Sequence, residues 1–176
     1  MKILAFAASN NKNSINRTLA SYVANLHPQA DVETLDIHDY EMPIYSTERE
    51  QQLGQPDLAK KFFAKIGEAD ALVISFAEHN GTYSAAYKNL FDWTSRINQK
   101  LFQNKPTLLL ATSPGAGGAA RVLATAVDSA PHFAADVRGY ISIPSFHDNF
   151  DTETNQLIDA QIKDQLITAV GRLADN

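Results

Sequence analysis

The sequence contains no cysteine, which excludes disulfides, iron–sulfur ligation, thiolate catalysis and every zinc site that needs sulfur. A metal would have to be held by histidine or carboxylate. The five histidines, His27, His38, His79, His132 and His147, lie far apart, and none falls in the HExxH spacing that sets two imidazoles on one helical face. No metal is expected. Clustered Lys and Arg are also missing, and a formal net charge of -5 argues against a broad footprint for nucleic acid. No apolar run approaches the roughly 20 residues that cross a bilayer. The start, Met1 to Ala8, holds an apolar stretch shorter than the roughly 7 to 15 residues of a signal-peptide core, and a polar loop follows it. It reads as a strand. A cytoplasmic protein without membrane attachment is expected.

What is present is enough apolar material for one core: 44% hydrophobic residues in a chain of 176, a usual single-domain size. With no linker, internal repeat or low-complexity stretch, one domain over residues 1–176 is expected. Short apolar runs alternate with segments of helical period, the pattern of a parallel sheet covered on both faces. Ile3 to Ala8, Ala71 to Phe76 and Thr107 to Thr112 are nearly continuous in apolar residues, as central strands buried on both faces are. Val32 to Ile37 and Val137 to Ile143 carry interspersed polar residues and read as edges.

Between the strands, Ile15, Leu19, Tyr22, Val23 and Leu26 recur at helical spacing, as do Leu58, Phe62, Phe63 and Ile66 after Pro56. A third helix uses Tyr87, Leu90, Phe91, Thr94, Ile97 and Leu101, and a fourth runs from about Ala119 to Ala130. A fifth uses Leu157, Ile158, Ile162, Leu166, Ile167 and Val170, capped at Asp151 or Thr152. Right-handed crossovers then give an α/β fold, a doubly wound five-stranded parallel sheet in the order 2-1-3-4-5. Ligands bind such sheets outside the carboxyl ends of the strands, next to the point where the strand order reverses. Three loops lie there: Ser9 to Asn16, Ala77 to Ser84, and Ser113 to Gly118.

In the first loop, Ser9-Asn10-Asn11-Lys12-Asn13-Ser14-Ile15-Asn16, every residue but Ile15 can donate a side-chain hydrogen bond, and a helix begins at its end. Open backbone N–H groups and a partial positive charge at a helix start, with hydroxyls and amides beside them, make a phosphate cradle. A solvated loop with Asn13 or Ser14 as N-cap has the same composition; the place at the switch point favours the cradle. Neither GxxxxGK nor GxGxxG can be written there. Gly115-Ala116-Gly117-Gly118-Ala119-Ala120 does fit GxGxx(G/A), but in the fourth βα turn rather than the first, so it is discounted as a nicotinamide site.

The second loop continues as Glu78-His79-Asn80, then Lys88-Asn89-Leu90-Phe91-Asp92-Trp93. Here the chain resembles the NADPH-dependent FMN reductases of the flavodoxin-like superfamily, which include quinone, FMN and azo reductases. Their pattern is Pro-Glu-Tyr-Asn followed by Leu-Lys-Asn-Ala-hydrophobic-Asp-Trp, and Glu78, Asn80, Lys88, Asn89, Asp92 and Trp93 match it. Ser9, Ser14 and Asn16 match the family's phosphate loop; Ser113, Gly115, Gly117 and Gly118 match its Ser- and Gly-rich turn; Met42-Pro43-Ile44-Tyr45 is similar to its Leu-Pro segment. The family's phosphate-loop arginine is Asn11 here, which loses a bidentate contact that Lys12 replaces only as a point charge. Its Pro and Tyr are Ala77 and His79, and the imidazole is a proton donor in a supporting role.

The resemblance implies bound FMN and a transient NADPH or NADH that passes hydride through it to a quinone, flavin or azo acceptor by a ping-pong mechanism, with no protein acid–base catalyst. It places Ser9, Asn11, Lys12, Ser14, Ile15 and Asn16 on the phosphate, and Ala77, Glu78, His79, Asn80, Ser113, Gly115, Gly117 and Gly118 around the flavin. Asn80 and backbone groups would meet the ring edge while Glu78 braces the loop, and the glycines would let backbone approach the ring. Tyr83 either flanks the ring or makes a dimer or helix contact. Trp93 and Leu90 read as core or subunit packing. The family also implies a homodimer or homotetramer, with Ser84 to Lys100 as the candidate surface. The rival reading is a flavodoxin-like electron carrier that binds FMN without its own NAD(P)H activity. A phospho-acceptor receiver domain would need acidic residues after the first strand, where Ser9-Asn10-Asn11 stands.

Overall fold

Successive side chains of a strand point to opposite faces, so a strand apolar at every position must be covered on both sides. In the computed structural model, which describes residues 1–175, the chain does this with five parallel strands. They are β1 (Lys2–Ala8), β2 (Asp31–Leu35), β3 (Ala71–Phe76), β4 (Pro106–Thr112) and β5 (Asp136–Ile143), in spatial order β2-β1-β3-β4-β5. Leu4, Phe6, Leu72, Ile74 and Leu109 face one core; Ile3, Ala5, Val73, Leu108 and Leu110 face the other.

Among the described residues, six α-helices longer than one turn connect and cover the sheet: α1 (Ile15–Ala24), α2 (Thr47–Leu53), α3 (Asp57–Glu68), α4 (Ala85–Ser95), α5 (Ala120–Ser129) and α6 (Ala160–Gly171); a single turn, Phe146–Asn149, follows β5. Phe62 and Ile66 of α3, Leu90 and Trp93 of α4 and Val122 of α5 fill the first core. Leu19 and Val23 of α1 and Leu166 and Val170 of α6 fill the second. The sheet order is the doubly wound one expected, and the two mixed-polarity strands are its edges.

Two expected helix bounds are corrected. The last helix does not begin near Asp151. The Asp151 carboxylate accepts the amides of Glu153 and Thr154 and the Thr154 hydroxyl, and Asn155 takes a left-handed φ of 54°. That turn closes a hairpin, Phe150–Asp151 against Gln156–Leu157, which buries Leu157 and leaves Ile158 62% exposed. Helix α6 starts later, where the Asp159 side chain accepts from the Ile162 amide. Likewise α4 stops at Ser95, because the Thr94 and Ser95 hydroxyls donate to the carbonyls of Leu90 and Asp92 in its last turn. Leu101 and Phe102 are buried beyond it in tight turns, with left-handed Gln103 and Asn104 following. Helix α2 was not expected: it buries no residue, so no apolar period announces it.

Candidate functional site at the switch point

The order of the sheet reverses between β1 and β3, and the chain leaving β1 turns there into α1. Ser14 is the N-cap, its hydroxyl accepting the Arg17 amide. The Ser9 hydroxyl accepts the Asn11 amide, and the Asn11 side chain accepts the Asn13 amide. Both serines are buried, and since each oxygen already accepts a backbone N–H, each keeps its hydroxyl proton to give. Among the described residues no hydrogen bond takes up the amides of Ile15 or Asn16, which are two of the donors every helix start leaves open. The result is a concave set of donors at the positive end of a helix. Arg17 was not foreseen here: its guanidinium donates to the Lys12 carbonyl and pairs with Asp36, which staples the loop to the end of β2.

Asn16 differs from expectation in what it offers. Its side chain is tied inside the protein by three hydrogen bonds, and its backbone N–H is an open donor. Nδ2 donates to the Thr112 carbonyl at 3.1 Å, and Oδ1 accepts from Ser75 Oγ at 2.7 Å and from the Thr112 amide at 3.1 Å.

Residues 77–84 form a hairpin rather than an open loop. Glu78–His79 pairs with Thr82–Tyr83, and Asn80 and Gly81 both take positive φ, 53° and 82°, as the Asn-Gly pair of a type I′ turn does. The Glu78 carboxylate accepts the Val122 amide in the first turn of α5 at 3.1 Å. Tyr83 packs on Phe76 and Tyr87 and hydrogen-bonds Ser129 at 3.1 Å; burial raises its pKa above the ordinary tyrosine value. The helix contact is thus present, to Tyr87 of α4 and Ser129 of α5.

The matched Lys-Asn-x-x-Asp-Trp stretch is a brace. Asn89 donates to the carbonyls of Met42 and Pro43 and accepts from the Tyr45 amide, and Trp93 Nε1 donates to Pro43 at 2.7 Å. These bonds clamp the Met42–Tyr45 segment to α4. Lys88 and Asp92 form an exposed i,i+4 ion pair.

After β4, Ser113 donates to the Gly115 carbonyl. The three glycines have different reasons. A Cβ on Gly115 or Gly117 meets nothing within 4 Å, whereas one on Gly118, at φ 55°, would stand 2.4 Å from Ser142 Oγ and 3.0 Å from the Pro144 nitrogen. The close approach seen at Gly118 is to the end of β5, at Ser142 and Pro144.

Together these loops enclose a cleft of about 270 Å³. Ser9, Asn11, Ser14, Ile15, Asn16, Ala77, Glu78, His79 and Ser113 line it, joined by Asn13, Thr112 and Pro114. Lys12, Asn80, Gly115, Gly117 and Gly118 lie outside that lining. Asn13 reads in sequence as one of the loop's donors or as a cap, and Thr112 as one more strand residue.

Residues 1–148 match the family described as NADPH-dependent FMN reductase. A 2-hydroxy-1,4-benzoquinone reductase from a Burkholderia species is 33% identical over 122 residues, which span 68% of this chain and 64% of that protein, just under two thirds of its length. The NADH-dependent flavin reductase subunit 2 of Lactobacillus johnsonii is 30% identical over 170 residues, 92% of this chain and 89% of the relative. Among solved structures, the NAD(P)H:acceptor oxidoreductase FerB of Paracoccus denitrificans superposes with a TM-score of 0.77 at 23% identity, over 99% of this chain and 95% of the other. That likeness is one of fold. With the family match running through the switch-point loop, the hairpin and the α4 brace, the chain belongs to the NADPH-dependent FMN reductase family.

Proposed function

We propose that the protein is an FMN-dependent oxidoreductase that moves reducing equivalents from NADPH or NADH to a small acceptor such as a quinone, a flavin or an azo compound. The observation that carries this reading is the donor set at the start of α1. Two buried hydroxyls with free protons and two unclaimed amides line one cleft, which suits a dianionic phosphate at a helix N-terminus. FMN fits these residues: Ser9, Ser14 and the amides of Ile15 and Asn16 would hold its phosphate, with Asn11, Asn13 and Lys12 at the rim. Ala77, Glu78, His79 and Ser113 would flank the remainder of the molecule. When bound, the flavin supplies the two-electron chemistry in two half-reactions, reduction by the nicotinamide and reoxidation by the acceptor.

The chain's own part is orientation. Glu78, held by the Val122 amide, fixes the hairpin that forms one wall. His79 is exposed at the rim, where its imidazole can give a proton to a leaving acceptor. The names of the Burkholderia and Lactobacillus relatives, a quinone reductase and a flavin reductase, support the acceptor classes. A flavodoxin-like carrier remains the rival, and nicotinamide oxidation separates the two. The flavin-loaded protein is expected to oxidise NADPH or NADH with a quinone, free flavin or azo dye. Absence of turnover with all of these would leave the carrier.

We also infer a homo-oligomer built on the α4 face. An aromatic hollow of about 260 Å³ opens between α4 and α5, walled by Tyr83, Tyr87, Phe91, Phe102 and Phe133, and a second copy would cover it. A monomeric mass at micromolar concentration in light scattering would rule this out.

A further inference from the structure

We propose that Asn16 is a positioning residue: its buried side chain fixes the start of α1 against the ends of β3 and β4, and so makes the protein select FMN over riboflavin. This rests on the flavin reading above. Asn16 is 3% exposed, Ser75 and Thr112 no more than 1%, and burying a carboxamide and two hydroxyls among apolar strands is costly unless each finds a partner. Here each does. The Asn16 oxygen takes two donors, the Ser75 hydroxyl and the Thr112 amide, and its nitrogen gives to the Thr112 carbonyl. Thr112 Oγ1 extends the chain to the Ile143 carbonyl at the end of β5, at 2.7 Å.

The neighbouring end of β1 is tied in the same manner, the Ser84 hydroxyl donating to the Ala8 carbonyl at 2.8 Å. So the ends of β1, β3, β4 and β5 are all secured by buried polar side chains. A buried network in which every side-chain nitrogen and oxygen has a partner rigidifies what it touches.

Asn16 and Thr112 both join that network to the cleft, and Asn16 does so with an open donor, its own backbone N–H. Pinning the side chain from both neighbouring strands sets where that N–H and the adjacent Ile15 N–H point. Preorganised donors bind an anion better than donors that must be ordered at binding. The advantage falls on the phosphate, which FMN has and riboflavin lacks. Any general loosening of the fold would weaken both ligands alike.

The test compares dissociation constants for FMN and for riboflavin on the flavin-stripped wild type, Asn16→Leu and Ser75→Ala, with circular dichroism to check folding. Asn16→Leu is expected to weaken FMN by about 10- to 100-fold, the worth of one or two hydrogen bonds to a charged group, and riboflavin by less than about 3-fold. Ser75→Ala keeps Asn16 tied to Thr112 and should lower the FMN preference by about 3-fold or more. If Asn16→Leu fails to fold, Ser75→Ala decides. Equal losses for both ligands, or an unchanged preference in the folded variants, overturn the positioning role. A wild type that binds no FMN overturns the flavin reading, and this inference with it.

Discussion

Gly118 and its neighbours separate glycines by cause. With φ at 55° and a virtual Cβ 2.4 Å from Ser142 Oγ, Gly118→Ala is expected to lose about 1–3 kcal/mol, the cost of a strained non-glycine residue. Gly115→Ala, which meets open space, should stay within about 0.5 kcal/mol. Urea unfolding of the two variants checks the contrast. The sequence announces a turn at 115–118, but which glycine is forced depends on Ser142 and Pro144, some 25 residues further along and packed against it only in the fold. Asn16 has the same lesson. Its place in the phosphate-loop pattern is legible; the two residues that bond its side chain, Ser75 of β3 and Thr112 of β4, are not.

The elements with the strongest apolar pattern, β1, β3 and β4, are legible almost to the residue because burial on both faces leaves little latitude in their composition. Helix α2 and the 150–157 hairpin are not, since one buries nothing and the other borrows helical spacing from Leu157 and Ile158. The hairpin at 78–83 was legible in part: Asn80-Gly81 is a turn signal, while the bond from Val122 to Glu78 that orients it spans two elements. Glu78→Ala should free this hairpin, speeding amide exchange in residues 77–84 and at the start of α5, whereas Glu78→Gln keeps an acceptor and should exchange near the wild-type rate. Hydrogen-exchange mass spectrometry distinguishes them. On the edge strand β2, Lys65 and Lys2 hold Glu33 below the usual carboxylate range, the Lys65 hydrogen bond being the larger cause. A lowered folded-state pKa means that the unfolded chain binds the proton first. This stabilisation is therefore present above the ordinary value of 4.5 and is lost as pH falls through the depressed one. Glu33→Gln should flatten that part of the stability curve; an unchanged acid slope would deny the contribution.

At the scale of the molecule, the buried polar ties at the strand ends and the open donors at α1 are, on the proposed reading, a switch point prepared for a phosphate before any ligand arrives. Ligand that binds only the folded state stabilises it by mass action, about 2.7 kcal/mol at a hundredfold excess over the dissociation constant. For a chain of this length that corresponds to a rise of roughly 5–10 °C in Tm, and a thermal melt with FMN should display it. The most direct measurement is a titration of the flavin-stripped protein with FMN, followed by flavin fluorescence, alongside Ser9→Ala. The account predicts saturable binding of one FMN per chain, weakened about 10-fold or more when the Ser9 hydroxyl is removed. No saturable binding by the wild type, or binding indifferent to Ser9, would contradict it.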